Sequence, residues 1–432
     1  MDSLWTETAQ LPSFPQLHSD IKTDALVIGG GLAGLLCAYK LKQAGIDHVV
    51  LEASRICGGI TKNTTAKITS QHGMIYSKLT TRFSPELAEL YLRANEEALG
   101  EYTALCAHIA CGFESKDSLV YSNSPGALNQ ELRTLHRFGF DAEFAISNPL
   151  PMPTAGAVLF HNQAQFHPLE FAAEIAKDLH IYEHTPVREL AGCTAVTDHG
   201  RVSADKIIVA THFPFLNKHG LYFLKMYQQR SYVLALENAQ DVGGMYIGAE
   251  DNSLSFRNYG NLLLLGGGGH RTGKQGGNWA ELEQFAQQHY PEAKTVYRWA
   301  TQDCMTLDGL PYIGQYSKNT PNLFVATGFN KWGMTISMAA ANILCDLVKE
   351  KQNPYADLFS PSRSMLHKQL LVNAGETTVN LLSFSKKRCP HLGCALKWNA
   401  QEHSWDCPCH GSRFTKSGKL IDNPATGDLK KP

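Results

Sequence analysis

The sequence predicts an α/β protein. A nucleotide-binding unit of parallel strands and helices opens the chain, antiparallel strands follow, and a small all-β segment comes at the C-terminus. Three observations carry this. A strand–turn–helix–strand unit around Gly29-Gly-Gly31-Leu32-Ala33-Gly34 opens the chain. Alternating apolar residues run from Leu221 to Gly266. Two short Cys/His loops lie near the end.

The first unit begins at Asp24. Ala25-Leu-Val-Ile28 reads as a buried strand, Leu35 to Ala44 has helical periodicity, Gly45 stops it, and His48-Val-Val-Leu51 is a second strand ending in Glu52. In a Gly-x-Gly-x-x-Gly turn the glycines allow the tight bend, close backbone approach to a pyrophosphate and close helix–strand packing. The helix N-terminus presents free N–H groups to phosphate. Glu52 stands where an acid accepts from ribose hydroxyls and disfavours a 2′-phosphate.

Pro85 to Cys111 reads as one amphipathic helix with Leu87, Leu90, Leu92 and Ala98 among its apolar positions. Ser231 to Leu236, Gly244 to Gly248 and Leu262 to Leu265 read as antiparallel strands. Leu262 to Gly269 imitates a second dinucleotide turn, but no helix follows at once. Gly268 to Lys274 imitates a phosphate loop, but Gln275 replaces the Ser/Thr needed for Mg²⁺. Both read as a glycine-rich strand end, and without a second nucleotide site a pyridine-nucleotide reductase is disfavoured. Asn353 to Ser364 reads as a linker.

Cys389-Pro-His391 and Cys407-Pro-Cys409-His410 each offer one thiolate and one imidazole. That set suits a Rieske [2Fe–2S] cluster, with two Cys on one iron and two His on the other. A structural zinc site uses the same four ligand types, but usually as a Cys pair followed by a His pair, and leaves Cys394 and Cys409 unexplained. A Rieske oxygenase would further need a mononuclear iron site of two His and a carboxylate. His180 and His184 have no matching carboxylate pattern and read as a helix-surface pair.

The chain has 432 residues, enough for two or three domains, with 43% hydrophobic and 18% charged residues. A net charge of −1 makes no electrostatic case for nucleic acid or an anionic membrane. No apolar run is long enough to span a bilayer. The start at Met1-Asp2 has no basic-then-apolar leader, so a cytoplasmic protein is expected. Cys37, Cys57, Cys106, Cys111, Cys193, Cys304 and Cys345 are scattered and read as thiols in a reducing compartment.

Further segments complete a family pattern. Arg55-Ile-Cys-Gly58-Gly59 follows Glu52; Thr185-Pro-Val187 and Ala204 to Ala210-Thr211 come later. Leu307-Asp308-Gly309-Leu-Pro311-Tyr-Ile313-Gly314 precedes Leu323 to Gly328 and Trp332-Gly333. This ordered set resembles the FAD-dependent oxidoreductases of the D-amino-acid oxidase and glycine/sarcosine oxidase superfamily. With its C-terminal Rieske segment, and with Thr64-Thr-Ala-Lys67-Ile-Thr-Ser-Gln-His72, the chain resembles a bacterial subfamily of them. The resemblance implies a discontinuous Rossmann-like FAD-binding domain from segments near 1–80, 150–215 and 290–360. It implies a substrate domain near 81–149 and 216–289, and a short Rieske segment over 361–432.

Carried over by position, the FAD contacts implied are Gly29, Gly31, Leu32, Ala33 and Gly34; Glu52, Ala53, Arg55, Gly59, Ile60 and Thr61; Val187, Ala210 and Thr211; and Gly314, Gly328, Gly333, Met334 and Thr335. The helix opened by Gly333 would aim its N-terminus at the flavin pyrimidine and stabilise negative charge there. The cluster ligands are Cys389, His391, Cys407 and His410. In the Rieske proteins of respiratory and photosynthetic complexes the positions of Cys394 and Cys409 form a disulfide over the cluster. There Ser412 matches a hydroxyl donor to a bridging sulfur, and Phe414 replaces a Tyr donor. One donor kept and one lost implies a potential within about −150 to +300 mV, below the upper end. With so few residues ahead of Cys389, the cluster scaffold is expected to lean on the FAD domain.

The expected activity is oxidation of an amine, amino acid or N-alkyl amino acid, with electrons passed singly through the cluster to an external one-electron partner. The alternatives are a reductase running from cluster to FAD to substrate, or a non-catalytic redox sensor. Arg257 could bind a substrate carboxylate, Lys67 and His72 could act on substrate or cofactor, and Cys304 could tether the flavin. Each also has a purely structural reading, so the catalytic residues stay unassigned.

Overall fold

The computed structural model describes residues 3–430 apart from Lys218 and Lys386. Met1 and Asp2, where the leader reading began, lie outside the described residues. Two large sheets form the body. In the first, the strands Leu323–Thr327, Arg201–Val209, Ile21–Ile28, His48–Leu51 and Ile181–Tyr182 run parallel, and Tyr312–Gln315 adds antiparallel at one edge. The central strand Ile21–Ile28 ends in the unbroken buried run Ala25 to Ile28 because both faces are covered: Ala25 and Val27 share a core with helix residues such as Leu35 and Leu36, and Leu26 and Ile28 share another with Val187, Ala195 and Phe213. The helices Leu32–Gln43 and Gly333–Val348 pack against each other on this sheet through a common apolar core.

The second sheet is curled. Its order is Lys294–Thr306, Met226–Glu237, Leu262–Arg271, Ser255–Tyr259, Met245–Gly248, Glu114–Tyr121, Ala157–Gln165 and Lys67–Ile68. The strands expected around Ser231, Gly244 and Leu262 are present. Met245–Gly248, however, pairs antiparallel with Ser255–Tyr259 and parallel with Glu114–Tyr121, a long-range pairing that no local alternation encodes. The glycine-rich run Gly266 to Gly269 lies inside the strand Leu262–Arg271 and forms no nucleotide turn.

The helix expected to reach Cys111 spans Pro85–Cys106. Ser84 caps it by accepting from Leu87 N–H at 3.3 Å, with Pro85 in its first turn. The chain then doubles back and sets Cys111 beside Cys106, sulfurs 3.5 Å apart.

The stretch expected as a linker is firmly packed. Leu358 and Phe359 are buried, and the Arg363 guanidinium binds both oxygens of Asp308 while lying 3.9 Å above the Tyr312 ring. Beyond it comes the helix Lys368–Leu382, absent from the sequence reading. Then four short antiparallel strands, Lys397–Asn399, Ser404–Asp406, Arg413–Thr415 and Leu420–Asp422, make a separate small sheet. His180 and His184 are not a helix pair: they bracket the strand Ile181–Tyr182, and His180 stacks on His48. Among the described residues no helix is long and apolar enough to cross a membrane.

Candidate active site and metal centre

A cavity of about 1350 Å³ runs between the two large sheets, larger than the 300–1,000 Å³ usual for a single drug-sized ligand. One end is built by the glycine turn. Gly29 has φ +110°, and a Cβ there would lie 2.6 Å from the Ala210 carbonyl oxygen. A Cβ on Gly34 would lie 1.9 Å from the Gly29 oxygen, so Gly34 serves the packing of helix on turn. At Gly31 the nearest atom to a Cβ is Thr61 Oγ1 at 3.5 Å, which leaves this face of the turn open to a bound group. The N-cap residues Gly31 and Trp332 of Leu32–Gln43 and Gly333–Val348 make no side-chain cap, and both helix N-termini lie on the cavity wall.

Glu52 accepts from the N–H of Gly30 and of Ser54, each at 2.8 Å. Burial raises its pKa, against the pull of those two donors. Lone pairs remain for a diol such as ribose. Ala53, Gly59, Ile60 and Thr61 continue the wall, and Thr61 Oγ1 also accepts from Leu32 N–H at 3.1 Å. Leu32, Ala33, Val187, Ala210, Thr211, Gly328, Gly333 and Met334 line the same cavity. Four expected contacts lie off its wall. Besides Gly34, Arg55 donates to the Pro12 carbonyl and faces Glu183, and Gly314 sits in an edge strand against Pro361. Thr335 is buried and donates to the Thr69 carbonyl.

The cavity's other wall is the face of Met226–Glu237 and Lys294–Thr306 that carries Tyr227, Gln229, Ser231, Thr301, Asp303 and Met305. Lys67 reaches into the cavity with Thr65 Oγ1 at 3.3 Å as its hydrogen-bond partner; burial, aided by Arg257, pulls its pKa down to about 7. His72 is held at both ring nitrogens. Nδ1 accepts from Tyr91 OH at 2.7 Å, Nε2 donates to the Thr69 carbonyl at 2.9 Å, and the ring stacks on Trp332. Burial keeps it neutral, its pKa near 3. Arg257 is fully buried, donates to the Ala66 carbonyl and lies over Trp5 and Tyr259, off the cavity wall, which is a structural placement. Cys304 is buried on the opposite face of its strand, in a core with Phe213 and Tyr312, and does not line the cavity.

At the metal centre the sulfurs of Cys394, Cys407 and Cys409 lie within 4.8 Å of one another. Cys394 and Cys409 are spent in a disulfide that laces the two loops together, which leaves the thiols of Cys389 and Cys407 free to act as ligands. Both are buried, and their side chains meet. The imidazoles of His391 and His410 stand perpendicular, centroids 5.0 Å apart. His391 Nδ1 and both nitrogens of His410 are buried without a partner. Orphaned ring nitrogens beside paired thiols are the donor set that two irons and two sulfides would satisfy. Ser412 is buried with its hydroxyl at Cys389, and accepts from Ala425 N–H at 3.0 Å.

The small sheet does lean on the body. Gln228 Nε2 donates to the His410 carbonyl and Gln302 Nε2 to the Gly411 carbonyl, each at 2.9 Å. Asn423 Nδ2 donates to the carbonyls of Thr211 and Phe213 at 2.6 and 2.9 Å. Sequence reasoning missed these amides, because nothing local marks a glutamine in a strand as a docking group.

A nucleotide-type cavity beside a Cys₂His₂ cluster site is the arrangement of a flavin- and iron–sulfur-dependent oxidoreductase. Comparison with known proteins makes the class specific. The family model "FAD dependent oxidoreductase" (DAO) matches residues 24–347, and "Rieske [2Fe-2S] domain" matches 360–432. The chain belongs to the DAO family of FAD-dependent oxidoreductases, and its cofactors are FAD and a Rieske [2Fe–2S] cluster. It is 34% identical to the putative Rieske 2Fe-2S iron-sulfur protein YhfW of Bacillus subtilis (strain 168), across 99% of this chain and 97% of that one. It is 24% identical to gamma-glutamylputrescine oxidoreductase of Escherichia coli (strain K12), across 80% and 88%. The crystal structure of glycine oxidase from Geobacillus kaustophilus superposes with a TM-score of 0.68 at 19% identity, covering 80% of this chain and all of that one, a likeness of fold.

Proposed function

We propose that the protein dehydrogenates an amine, amino acid or N-alkyl amino acid and passes the electrons singly through its cluster to an external acceptor. When bound, FAD supplies hydride acceptance and the cluster one-electron exchange. One observation carries the reading: a single segment belongs to both sites. Ala210, Thr211 and His212 line the cavity, while the Phe213 ring lies 6.4 Å from that of His391 and 6.2 Å from that of His410. Three residues of extended chain span at most about 10 Å, so the two sites adjoin.

Placement on the cavity wall supports these roles. Gly29, Gly31, Leu32 and Ala33 cradle the pyrophosphate, Glu52 holds the ribose, and Val187, Ala210 and Thr211 flank the nucleotide. The open N-terminus at Gly333 and Met334 stabilises negative charge in the cavity. Lys67, Asp303 and Lys331 are ionisable groups on the side assigned to substrate; Lys331 donates to Ser231 Oγ at 3.2 Å and is the charge neighbour of Asp303. Relatives acting on gamma-glutamylputrescine and glycine support an amine-type substrate. We assign residues 1–360 to the oxidoreductase and 361–432 to the Rieske part. The scattered unpaired cysteines support a cytoplasmic setting. The test is an anaerobic screen of glycine, sarcosine, other N-methyl amino acids and polyamines for bleaching of the flavin band. Bleaching by an amine within a turnover time supports the reading; bleaching by none of these classes rejects it.

A further inference from the structure

The histidine edge of the cluster site is turned inward. His391 Nε2 lies 2.9 Å from Oδ1 of Asn217, a residue of the oxidoreductase part 174 positions earlier in the chain. The His410 ring sits edge-on to Phe213 and Phe223 from the same stretch. An amide oxygen can only accept, so His391 Nε2 carries the proton and Nδ1 keeps a free lone pair. Nδ1 is the nitrogen left buried without a partner. The tautomer that Asn217 enforces is therefore the one that can bind iron.

We propose that Asn217 is a positioning residue through which the oxidoreductase part sets the orientation and electron richness of His391, and thereby lowers the cluster's reduction potential. The argument is electrostatic. Accepting a hydrogen bond from a ligand imidazole makes that ligand more basic. A more basic ligand stabilises the oxidised cluster. Ser412 works the other way, as a donor toward a ligand sulfur that favours the reduced form. The two residues thus tune from opposite sides, one inside the cluster segment and one outside it. The inference rests on the proposed exchange of electrons between the cofactors only for its benefit to turnover; the change in potential stands without it.

The test uses the full-length holoprotein. The cluster midpoint is measured by EPR-monitored redox titration at one pH for wild type, Asn217→Leu and Asn217→Asp. Asn217→Leu removes the acceptor and should raise the potential. Asn217→Asp keeps the shape, adds charge, and should lower it. Losing one such hydrogen bond should change the ratio of reduced to oxidised cluster at fixed ambient potential about tenfold, or about 59 mV for a one-electron couple. Equal midpoints in all three proteins would overturn the proposal. If the Leu variant fails to assemble a cluster, the Asp variant decides: a midpoint at or above wild type rejects it. Photoreduction of the flavin in wild type, followed by the cluster signal, reports separately on whether the cofactors exchange electrons at all.

Discussion

Arg230, in the middle of a strand of the oxidoreductase part, forks onto the carboxylate of Glu402 in the cluster segment; the arginine is buried and the glutamate side chain only 9% exposed. Arg413 shares the same carboxylate and reaches Asp406 and Asp422 as well. Tyr232 donates to Glu402 at 2.9 Å. Burial works against the Glu402 charge, yet Arg230 and Arg413 together hold its pKa below the ordinary value. This network, with Gln228, Gln302 and Asn423, is what seats a small sheet that has little core of its own.

Removing Glu402 leaves two guanidiniums buried around a hole. Breaking a buried pair typically costs about 3–5 kcal/mol. Glu402→Ala should therefore lose its cluster at a lower temperature than wild type, with flavin release shifted less. Parallel melts read by cluster absorbance and flavin fluorescence check this. The pH sign follows from the depressed pKa: the stabilisation is present above the carboxylate's unfolded pKa and is lost as pH falls through the lower folded value. Cluster retention should hold at neutral pH and weaken only as pH falls below the ordinary carboxylate value of about 4.3.

Flavin retention depends on backbone space at the turn. Gly34→Val would drive side-chain atoms into the Gly29 carbonyl and should give protein that keeps iron but not FAD. Glu52→Gln keeps the shape while removing the charge, and should weaken FAD binding about tenfold, as expected for a lost hydrogen bond to a charged acceptor. Flavin-to-iron ratios of purified variants measure both effects.

The cavity's response to pH should follow Lys67. Below about pH 7 it is charged and attracts a carboxylate; above, it is neutral and does not. A small carboxylate such as acetate should perturb the flavin spectrum with about tenfold weaker affinity at pH 8 than at pH 6. In Lys67→Met the affinity should be low at both. A wild-type affinity that does not change with pH would remove Lys67 from this role.

The Cys394–Cys409 disulfide laces two loops on a minimal scaffold. Cys394→Ser should assemble a cluster and lose it severalfold faster on dilution in air, with the lost constraint felt mainly as looser loops. Peptide mapping of alkylated, unreduced protein reads the bond directly.

How much of this was legible in the sequence depended on sequence distance. The turn at Gly29 and the loops at Cys389 and Cys407 are local: backbone conformation and ligand spacing are written within a few residues. Glu52 follows from the turn; the lining residues Ala53 and Gly59 to Thr61, with Gly328, Gly333 and Met334, come from the family resemblance. What could not be read is contact between remote segments. Arg257 sits in a strand that alternation identifies, but its inward face is settled by the curl of the sheet onto Ala66. Gly314 carries a family motif yet packs on Pro361. The helix Lys368–Leu382 was missed because its buried face carries Asn373 and Asn380 while Leu371, Val379 and Leu382 point outward, which inverts the usual pattern. Asn217, Gln228 and Gln302 bear no signal at all until the fold brings the loops to them.

The central claim is that electrons from substrate pass from the flavin to the cluster of the same chain. The most direct measurement is anaerobic rapid mixing of holoprotein with a bleaching amine, with parallel flavin absorbance and freeze-quenched EPR. Loss of oxidised flavin should be followed by a reduced Rieske signal that grows to near one spin per chain, at a rate independent of protein concentration. Flavin that stays fully reduced beside an oxidised cluster, or a cluster signal whose rate scales with protein concentration, would contradict it.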